Sequence, residues 1–333
     1  LPPPKIPLLP PQPQELHPQP LLHPQPFLEL KSPMKRTSKK LFTLHHMQSG
    51  GIVLYCNWQS TNFEKEAGKM PAAYAHYVFG KKVFQELSGT EKEIIRKGED
   101  AFLLGLHGPD LLFYYFPLCK NRINQQGVKL HKKIAAEFFE LGRKRYKEDQ
   151  DSVLRAYLYG FLCHYILDSE CHPYISEYME EHDLGHLEIE TEFDRYLMEK
   201  DGRDPLYYVP IHHLISRAHT RREISKMFDH VTPRQIDWCI RLFRRTLKLF
   251  VCRSRRKLKI FRIFSRLTGQ DKEIGGLIMD GQLNEACQES DLFLEDRLNK
   301  GVKLAAEEIE KYSHALDTDG FLSMRLYRNY EEF

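Results

Sequence analysis

The chain has 333 residues, of which 41% are apolar, and this is enough for one large core or two smaller ones, so disorder of the whole chain is excluded. Its formal net charge is +3, but residues 1–69 carry eight Lys and Arg against four acidic residues, which leaves 41 basic and 42 acidic residues in the remainder. A nearly neutral body does not argue for a nucleic-acid-binding protein, and the sequence has no run of apolar residues long enough for a membrane span.

Residues 1–69 differ from the rest in their proline content. Twelve of the nineteen prolines lie in the first 33 residues, in a Pro-, Gln-, Leu- and His-rich run that can form neither helix nor sheet. We interpret residues 1–69 as a disordered leader. It is either a native extension or a translated upstream region outside a native protein that begins at Met70.

Two further features favour a cytoplasmic location. The apolar run at residues 50–56 is too short for a secretory signal and lacks its order of charged and apolar residues. The seven cysteines show no paired spacing, which predicts reduced thiols.

From Met70 onward, apolar residues recur at helical spacing and no convincing two-residue alternation occurs. The predicted helices are residues 71–87, 90–105, 127–147, 151–170, 184–200, 206–228, 232–267 and 281–313. Gly and Pro predict breaks at 108–109, 117, 173, 202–205 and 269. The pattern therefore predicts one all-α domain over residues 70–333, with an irregular tail after residue 317.

The most informative stretch is HYILDSECHPYI, residues 164–175. On a helix, residues four apart lie on one face about 6 Å from each other, so His164 and Asp168 can converge on one cation. Pro173 disfavours helical geometry at the residue before it. We therefore expect His172 to turn out of line and to serve a neighbouring ion.

A second pair with the same spacing follows in a strongly helical run, at His186 and Glu190. Imidazole and carboxylate are normal Zn²⁺ ligands, and three such ligands leave an open position for water. A single histidine on a helix is more often a hydrogen-bonded or surface residue than a ligand. Two pairs bracketing His172 within 27 residues nevertheless indicate a metal site. Three candidates stand apart from them in the sequence: His76, Asp110 and His131.

Five blocks resemble the bacterial zinc-dependent phospholipase C family, whose all-α fold is shared by fungal single-strand-specific zinc nucleases. They are MPAAYAHYVFG, GLHGPDLLFYYFPL, LHKKIAAEFF, GFLCHYILDSECHPYI and HLEIETEFDRYL, and they lie between residues 70 and 200. The resemblance implies a bacterial protein with a single multi-helix domain and a cleft that holds up to three zinc ions.

The resemblance also implies which residues hold the ions. The ligands would fall into three sets: His131, His164 and Asp168 for one ion; His76 and Asp110, with Asp168 bridging, for a second; and His172, His186 and Glu190 for a third. Asp110 is implied as the catalytic acid–base residue as well as a ligand. Secreted members of the family use an amino-terminal tryptophan as a further ligand. This chain departs from that pattern, so two or three Zn²⁺ ions are expected.

These expectations lead to a metal-dependent phosphodiesterase, a hydrolase that cleaves the glycerol-side P–O bond of a phospholipid. One alternative is a nuclease or a small-phosphodiester hydrolase, because the metal cluster recognises phosphate rather than what is attached to it. For the nuclease, a nucleic acid would be the substrate. The other alternative is a non-enzymatic, zinc-stabilised helical binding module whose closed coordination leaves no position for water.

A cationic segment lies outside these blocks, at residues 241–266, with eleven Lys and Arg, no acidic residue and interleaved Leu, Phe and Ile. It is predicted to be one amphipathic helix. Its apolar face either completes the core while the basic residues are solvated, or the helix lies on an anionic membrane or on a nucleic-acid backbone. His212, His213 and His219 are interpreted as structural or surface residues.

Overall fold

A computed structural model describes residues 73–117, 119–268, 275–318 and 320–330 of the protein. In those ranges the regular structure is helical, and an isolated bridge between Val251 and Met279 joins two extended segments. The prediction of an all-α fold is confirmed. The predicted leader, the predicted start at Met70 and the predicted break at Gly269 lie outside the described residues.

Eleven named α-helices follow one another along the described chain: α1 (Ala73–Glu86), α2 (Gly89–Lys97), α3 (Glu99–Gly105), α4 (Asn124–His131), α5 (Ala135–Asp149), α6 (Ser152–His182), α7 (His186–Lys200), α8 (Ala218–Ser225), α9 (Pro233–Phe250), α10 (Arg255–Thr268) and α11 (Gln288–Asp317). Short 3₁₀ helices lie at Gly108–Tyr114, Glu285–Cys287 and Met324–Leu326. None of the described helices is both long enough and apolar enough to cross a bilayer.

The helix α6 forms the centre of the molecule. Every residue from Leu154 to Ser169 is buried, so the helix is enclosed on all sides rather than along one stripe. Its neighbours include α1, α2, α3, α5, α7, α8 and α11. A chemically active side chain on this helix therefore points into the protein.

Glycines let α3 approach α6 closely. A Cβ atom on Gly160 would lie 2.1 Å from the carbonyl oxygen of Phe102, and one on Gly105 would lie 2.3 Å from that of Tyr157. No larger residue fits at this crossing. The close approach places the 3₁₀ helix that follows α3 beside the middle of α6.

The predicted break at Pro173 is wrong, because α6 continues through this proline to His182. A proline inside a helix costs about 3 kcal/mol, since it removes a backbone hydrogen bond and crowds the preceding turn. Pro173, Cys171 and Ile175 are all buried between neighbouring helices. Tertiary burial outweighs the local preference here.

Other predicted helices are divided by tertiary contacts. Helix 90–105 breaks at Gly98, where a Cβ atom would lie 2.6 Å from Ala156. Helix 127–147 breaks after His131, because the amide of Ala135 donates to the carbonyl of Arg328 instead of continuing the helix (2.9 Å). Of residues 206–228 only α8 is helical, and Pro210 interrupts the part before it.

The cationic segment is two helices and not one. The chain leaves α9 after Phe250, since Cys252 N donates to Met279 O (2.8 Å) and Met279 N donates to Phe250 O (3.2 Å). These bonds replace the helical ones, and α10 then begins at Arg255. The prediction of a single helix over residues 241–266 is therefore wrong.

The cysteines follow the prediction in part. Cys163, Cys171, Cys239, Cys252 and Cys287 are free and buried. Burial raises the pKa of the thiols of Cys163 and Cys171 and keeps them protonated. Cys119 is instead disulfide-bonded, so the expectation of reduced thiols is wrong at this position.

Candidate metal centre

The first cluster is built around Asp168 of α6. Nε2 of His164, one turn earlier, lies 3.0 Å from Asp168 Oδ2. Nε2 of His76, from α1, lies 3.2 Å from Asp168 Oδ1. The two imidazole rings stack with their centroids 4.6 Å apart. A single carboxylate thus faces two histidines through its two oxygens.

Asp110 and His131 complete this cluster. Nε2 of His131 lies 2.9 Å from Asp110 Oδ1 and 3.8 Å from Asp168 Oδ2. Nε2 of His164 lies 3.6 Å from Asp110 Oδ2. One possible ligand atom each of His76, Asp110, His164 and Asp168 lies within 4.8 Å of the other three. Among the described ion pairs, Asp110 is grouped with His131 and His164 rather than with His76.

The second cluster joins the C-terminal half of α6 to the start of α7. Nε2 of His186 lies 3.1 Å from Glu190 Oε1, and Nε2 of His172 lies 3.7 Å from the same oxygen. The three ligand atoms lie within 4.8 Å of one another. His172 joins this cluster although the helix does not break after it, because α7 crosses beside the last turns of α6.

The two clusters share a boundary at Asp168. His172 Nε2 lies 3.8 Å from Asp168 Oδ2, about as far as it lies from Glu190. All eight residues that the sequence singled out are therefore brought to one region of the interior. The least buried is His186, whose side chain is 16% exposed, so this region opens to solvent on the α7 side.

The carboxylates create a strongly negative interior. Burial alone would raise the pKa of Asp168, but the imidazoles of His164 and His172 outweigh it and hold that pKa well below the usual range. Burial opposes the charged form of Glu190 in the same way, and His186 and His172 lower the pKa of that carboxyl to about 2. The carboxylates therefore stay ionised at neutral pH.

The same carboxylates shift the pKa values of two histidines, His131 and His76. Burial alone would lower the pKa of His131, but Asp110 and Asp168 raise that pKa above its ordinary value. The pKa of His76 is raised by Asp168, Asp110 and Glu190 against the same effect of burial. Ionised carboxylates this deeply buried require positive charge next to them, and either protons on the histidines or divalent cations can supply it.

The donor set fits zinc. Zn²⁺ prefers imidazole nitrogen and carboxylate oxygen, and each cluster offers both. Two buried potential ligand atoms, His164 Nε2 and Glu190 Oε2, make no hydrogen bond, although His164 Nε2 lies 3.0 Å from Asp168 Oδ2. Unpartnered polar atoms that are buried beside ionised carboxylates are costly unless an ion satisfies the site.

Local structure orients several of these side chains. His131 Nδ1 is 2.9 Å from the carbonyl of Gly127, one turn earlier, so this nitrogen donates and Nε2 is left as a ligand. The same ring stacks on Phe113, and Tyr330 covers it with the ring centroids 4.9 Å apart. His131 is therefore fixed in both tautomer and orientation.

Sequence reasoning missed Asp194. Its Oδ2 accepts from Tyr74 N (2.9 Å) and its Oδ1 accepts from Ala75 N (2.7 Å). Asp194 thus caps the first turn of α1 from α7 and fixes the helix that carries His76. Its position four residues after Glu190 was the only sequence signal, and that spacing is common on any helix.

Tyr330 and His107 were missed as well. The buried Tyr330 lies in the C-terminal tail, where no pattern marks it. His107 Nε2 lies 2.8 Å from Nε2 of His213, and both rings are buried. Burial lowers the pKa of both histidines, which keeps this pair neutral. The interpretation of His213 as structural fits this arrangement.

A smaller group lies at the start of α6. Asp151, His219 and Glu223 bring ligand atoms within 4.8 Å of one another. Asp151 is however the N-cap of α6, and its Oδ1 accepts from Val153 N (2.8 Å). Glu223 is already paired with Lys226 Nζ (2.6 Å). These interactions satisfy the group as part of the surface structure.

The fold and these clusters define an all-α protein with a buried centre of histidines and carboxylates that could hold metal ions. Residues 75–245 match the family described as zinc dependent phospholipase C, and the chain belongs to this family. The resemblance noted in the sequence is confirmed, and the family is one of zinc-dependent enzymes. No curated protein and no solved structure matches the chain.

Proposed function

We propose that this protein is a zinc-dependent hydrolase that cleaves phosphodiester bonds, with a phospholipid as its substrate and cleavage on the glycerol side of the phosphorus. The observation that carries the proposal is the convergence of eight histidine and carboxylate side chains on one buried region, within the part of the chain that matches the family. The phospholipid follows from the family alone.

The distances support a revised assignment of the ligands. Asp110 is 2.9 Å from His131, and with His164 and Asp168 Oδ2 they would hold one ion. Asp168 Oδ1 and His76 would contribute to a second ion. A third ion would be held by three residues: His172, His186 and Glu190. Asp168 would then contribute to both of these sites, and Asp110, which is also within reach of His76, would serve the first.

When bound, zinc supplies Lewis acidity toward a phosphoryl oxygen and favours the ionisation of water. Asp110 lies on a 3₁₀ helix rather than in a long helix, with its carboxylate among the histidines. We assign it as the residue that accepts the proton of the attacking water and returns it to the leaving oxygen. The surrounding burial excludes bulk water from this transfer.

The second cluster has a complementary role. Glu190 and His172 are fixed by two neighbouring helices, while His186 lies at the opening. A phosphodiester would enter on the His186 side, with its anionic oxygens directed to the centre. The ionised carboxylates of Asp168 and Glu190 would repel an anionic substrate, and bound cations would offset that repulsion.

The test combines zinc content with turnover. Wild-type protein is expected to contain two or three zinc ions and to release diacylglycerol from phosphatidylcholine. Asp168→Asn keeps the shape and removes the bridging charge, so we expect it to lose zinc and at least two orders of magnitude in turnover, since even outer contacts of a metal site are worth about 10–100-fold. Asp296→Asn, an exposed change on α11, is the matched control and should retain both properties.

Parallel substrates separate the alternatives. Cleavage of single-stranded DNA with no release of diacylglycerol would replace the phospholipase by a nuclease. Full zinc content without turnover of any phosphodiester would indicate a structural zinc module. Unchanged turnover in Asp168→Asn would contradict the proposed mechanism.

A further inference from the structure

The helix α10 has an unusual surface. It carries six basic residues and no acidic residue within Arg255–Thr268. Its large apolar side chains are also exposed: Ile260 by 67%, Ile263 by 47%, Phe264 by 49% and Leu267 by 82%. A helix on a protein surface normally turns its apolar residues toward the core. In α10 four of them are exposed instead.

These four residues form one continuous strip. Residues spaced by three, four and seven positions lie on the same face of a helix, and this is the spacing of Ile260, Ile263, Phe264 and Leu267. The helix contacts the protein through a different face. Ser265 is buried there, and the half-buried Phe261 lies against Phe250 with the ring centroids 5.3 Å apart. The apolar strip therefore lies on a different face from Ser265 and Phe261.

A row of basic residues runs beside the strip. Arg255, Lys259, Arg262 and Arg266 follow one another at helical spacing on the adjacent face and line a surface groove with Asp280. Arg262 Nη2 lies 3.2 Å from Asp280 Oδ2. Within the described ranges, no carboxylate forms an ion pair with the other three basic residues of the row. Their charges are thus available to a partner.

The apolar strip and the basic row of α10 together indicate the chemistry of the partner that would cover them. Burying an apolar strip requires an apolar environment, and satisfying the flanking cations requires anions at the edge of that environment. An anionic phospholipid bilayer offers hydrocarbon beneath a layer of phosphates. We propose that α10 binds the surface of an anionic bilayer, with Ile260, Ile263, Phe264 and Leu267 inserted below the headgroups and the basic row in contact with lipid phosphates.

This surface is connected to the candidate metal centre through α7. Arg195 of α7 donates to the backbone of Asp280, whose side chain meets Arg262 of α10. Asn284 Nδ2 donates to Glu188 Oε1 (2.7 Å), between His186 and Glu190 on the same helix. The surface and the open side of the centre are thus attached to one rigid element. The inference deepens the proposed function, because the bilayer would also present the substrate.

The first experiment measures binding of the metal-loaded full chain to phosphatidylcholine vesicles with and without phosphatidylglycerol. The wild type should co-float with the anionic vesicles. Ile263→Glu with Leu267→Glu places two charges in the exposed strip, so folding is spared while insertion is opposed. We expect binding to weaken by at least about tenfold, because burying one large apolar side chain is worth roughly 1.5–3 kcal/mol. Phe321→Glu, at a residue that is 99% exposed, is the matched control and should bind normally.

The second experiment tests the basic row. Arg255→Gln, Lys259→Gln and Arg266→Gln together should weaken binding to the anionic vesicles by about fivefold per charge, the equivalent of roughly 1 kcal/mol each. The control removes the same charge from exposed positions elsewhere: Lys97, Lys144 and Lys303. It should weaken binding far less.

A soluble chromogenic phosphodiester separates this inference from the proposed function. The α10 variants should turn it over at the wild-type rate, while their hydrolysis of lipid in anionic vesicles falls with binding. Turnover without vesicle binding by the wild type would overturn the inference and leave the function standing. Vesicle binding without turnover would overturn the proposed function and leave the inference standing. Equal losses in the control variants, or tight binding to single-stranded DNA with none to vesicles, would also overturn the inference.

Discussion

Gly108 shows how a residue without a side chain can leave room for a proposed metal ligand, His164. It has a positive φ of 46°, and a Cβ atom on it would lie 2.1 Å from the imidazole of His164. The glycine therefore serves two purposes at once: it permits the backbone conformation that starts the 3₁₀ helix, and it leaves room for the ring. Asp110, two residues later, is placed against His164 as a result.

Gly108→Ala should disturb both the fold and the site. The left-handed conformation and the clash together should lower the free energy of unfolding by about 2–4 kcal/mol, and displacement of His164 should reduce zinc content. Gly202→Ala is a matched control, because its φ is 69° but nothing lies within 4 Å of its Cβ position. It should cost only about 1 kcal/mol and leave zinc content unchanged. Urea unfolding and elemental analysis measure both effects, and equal results for the two variants would contradict this account.

Asp291 provides a test that depends on pH. Burial, followed by the charges of Glu192 and Glu199, raises the pKa of Asp291 from 3.8 to about 7, and its Oδ1 is buried without a hydrogen-bond partner. A raised pKa in the folded state gives stability that is complete below the unfolded pKa and is lost as the pH rises through the folded pKa. The wild type should therefore lose stability between about pH 4 and about pH 7 at this residue.

Asp291→Asn removes this titration. The variant should match the wild type near pH 4 and exceed its free energy of unfolding by on the order of 1 kcal/mol near pH 8. Urea unfolding in the presence of a chelator keeps metal binding out of the comparison. Asp296→Asn on the same helix is exposed and should show no such gain. A gain that did not grow with pH would contradict the prediction.

Helical spacing by itself predicted only the site residues whose relation is local. His164 and Asp168, like His186 and Glu190, are brought together by the helix that carries each pair, and four-residue spacing is visible in the sequence. Asp194 acts on a segment 120 residues away, so no local pattern could reveal it. The same limit applied to Tyr330.

At the scale of elements, helix type was predicted more successfully than helix ends. Helix α7 was predicted within two residues at its start, whereas α6 was ended too early, at residue 170, and the helix at residues 127–147 was not divided. Each error arose because a tertiary contact outweighed local preference. For α6 this contact is burial on all sides, and for α5 it is the hydrogen bond from Ala135 to Arg328.

The capping of α1 by Asp194 leads to a prediction at this scale. Asp194→Asn retains one acceptor oxygen and directs an amide toward the second backbone N–H, so it should lower the free energy of unfolding by about 1–3 kcal/mol. Because His76 lies in the same turn of α1, zinc content should fall as well. Asp201→Asn is the control, since it accepts only from the Tyr74 hydroxyl at an exposed position and an amide oxygen can replace it. Similar losses in the two variants would show that the cap does not hold α1.

At the scale of the whole molecule, helical periodicity was sufficient to predict an all-α fold. It did not predict which helices touch, because helices of similar composition can pack in several orders. The enclosure of α6 and the approach of α7 to its last turns decide where the two clusters lie. The exposed strip of α10 was equally invisible, since the sequence does not say which face of an amphipathic helix meets the protein.

Because the carboxylates of the two clusters are buried, we expect the stability of the whole protein to depend on bound metal. A chelator should lower the thermal midpoint of the wild type by at least about 5 °C, because ions that bind only the folded state stabilise it. Asp168→Asn with Glu190→Gln removes one charge from each cluster, and a chelator should leave its midpoint unchanged. Calorimetry with and without chelator measures the difference, and an insensitive wild type would contradict metal binding at these clusters.

Because α6 runs without interruption past Pro173, Asp168 and His172 are separated by a fixed length of backbone, about 1.5 Å for each residue. Helix geometry therefore fixes both the distance and the angle between Asp168 and His172. Inserting a single residue there would swing His172 through about 100° and point it at a different neighbour. Point substitutions can exchange one ligand for another. The spacing of Asp168 and His172, however, can change only by insertion or removal of about one full helical turn if both side chains are to stay on the same face.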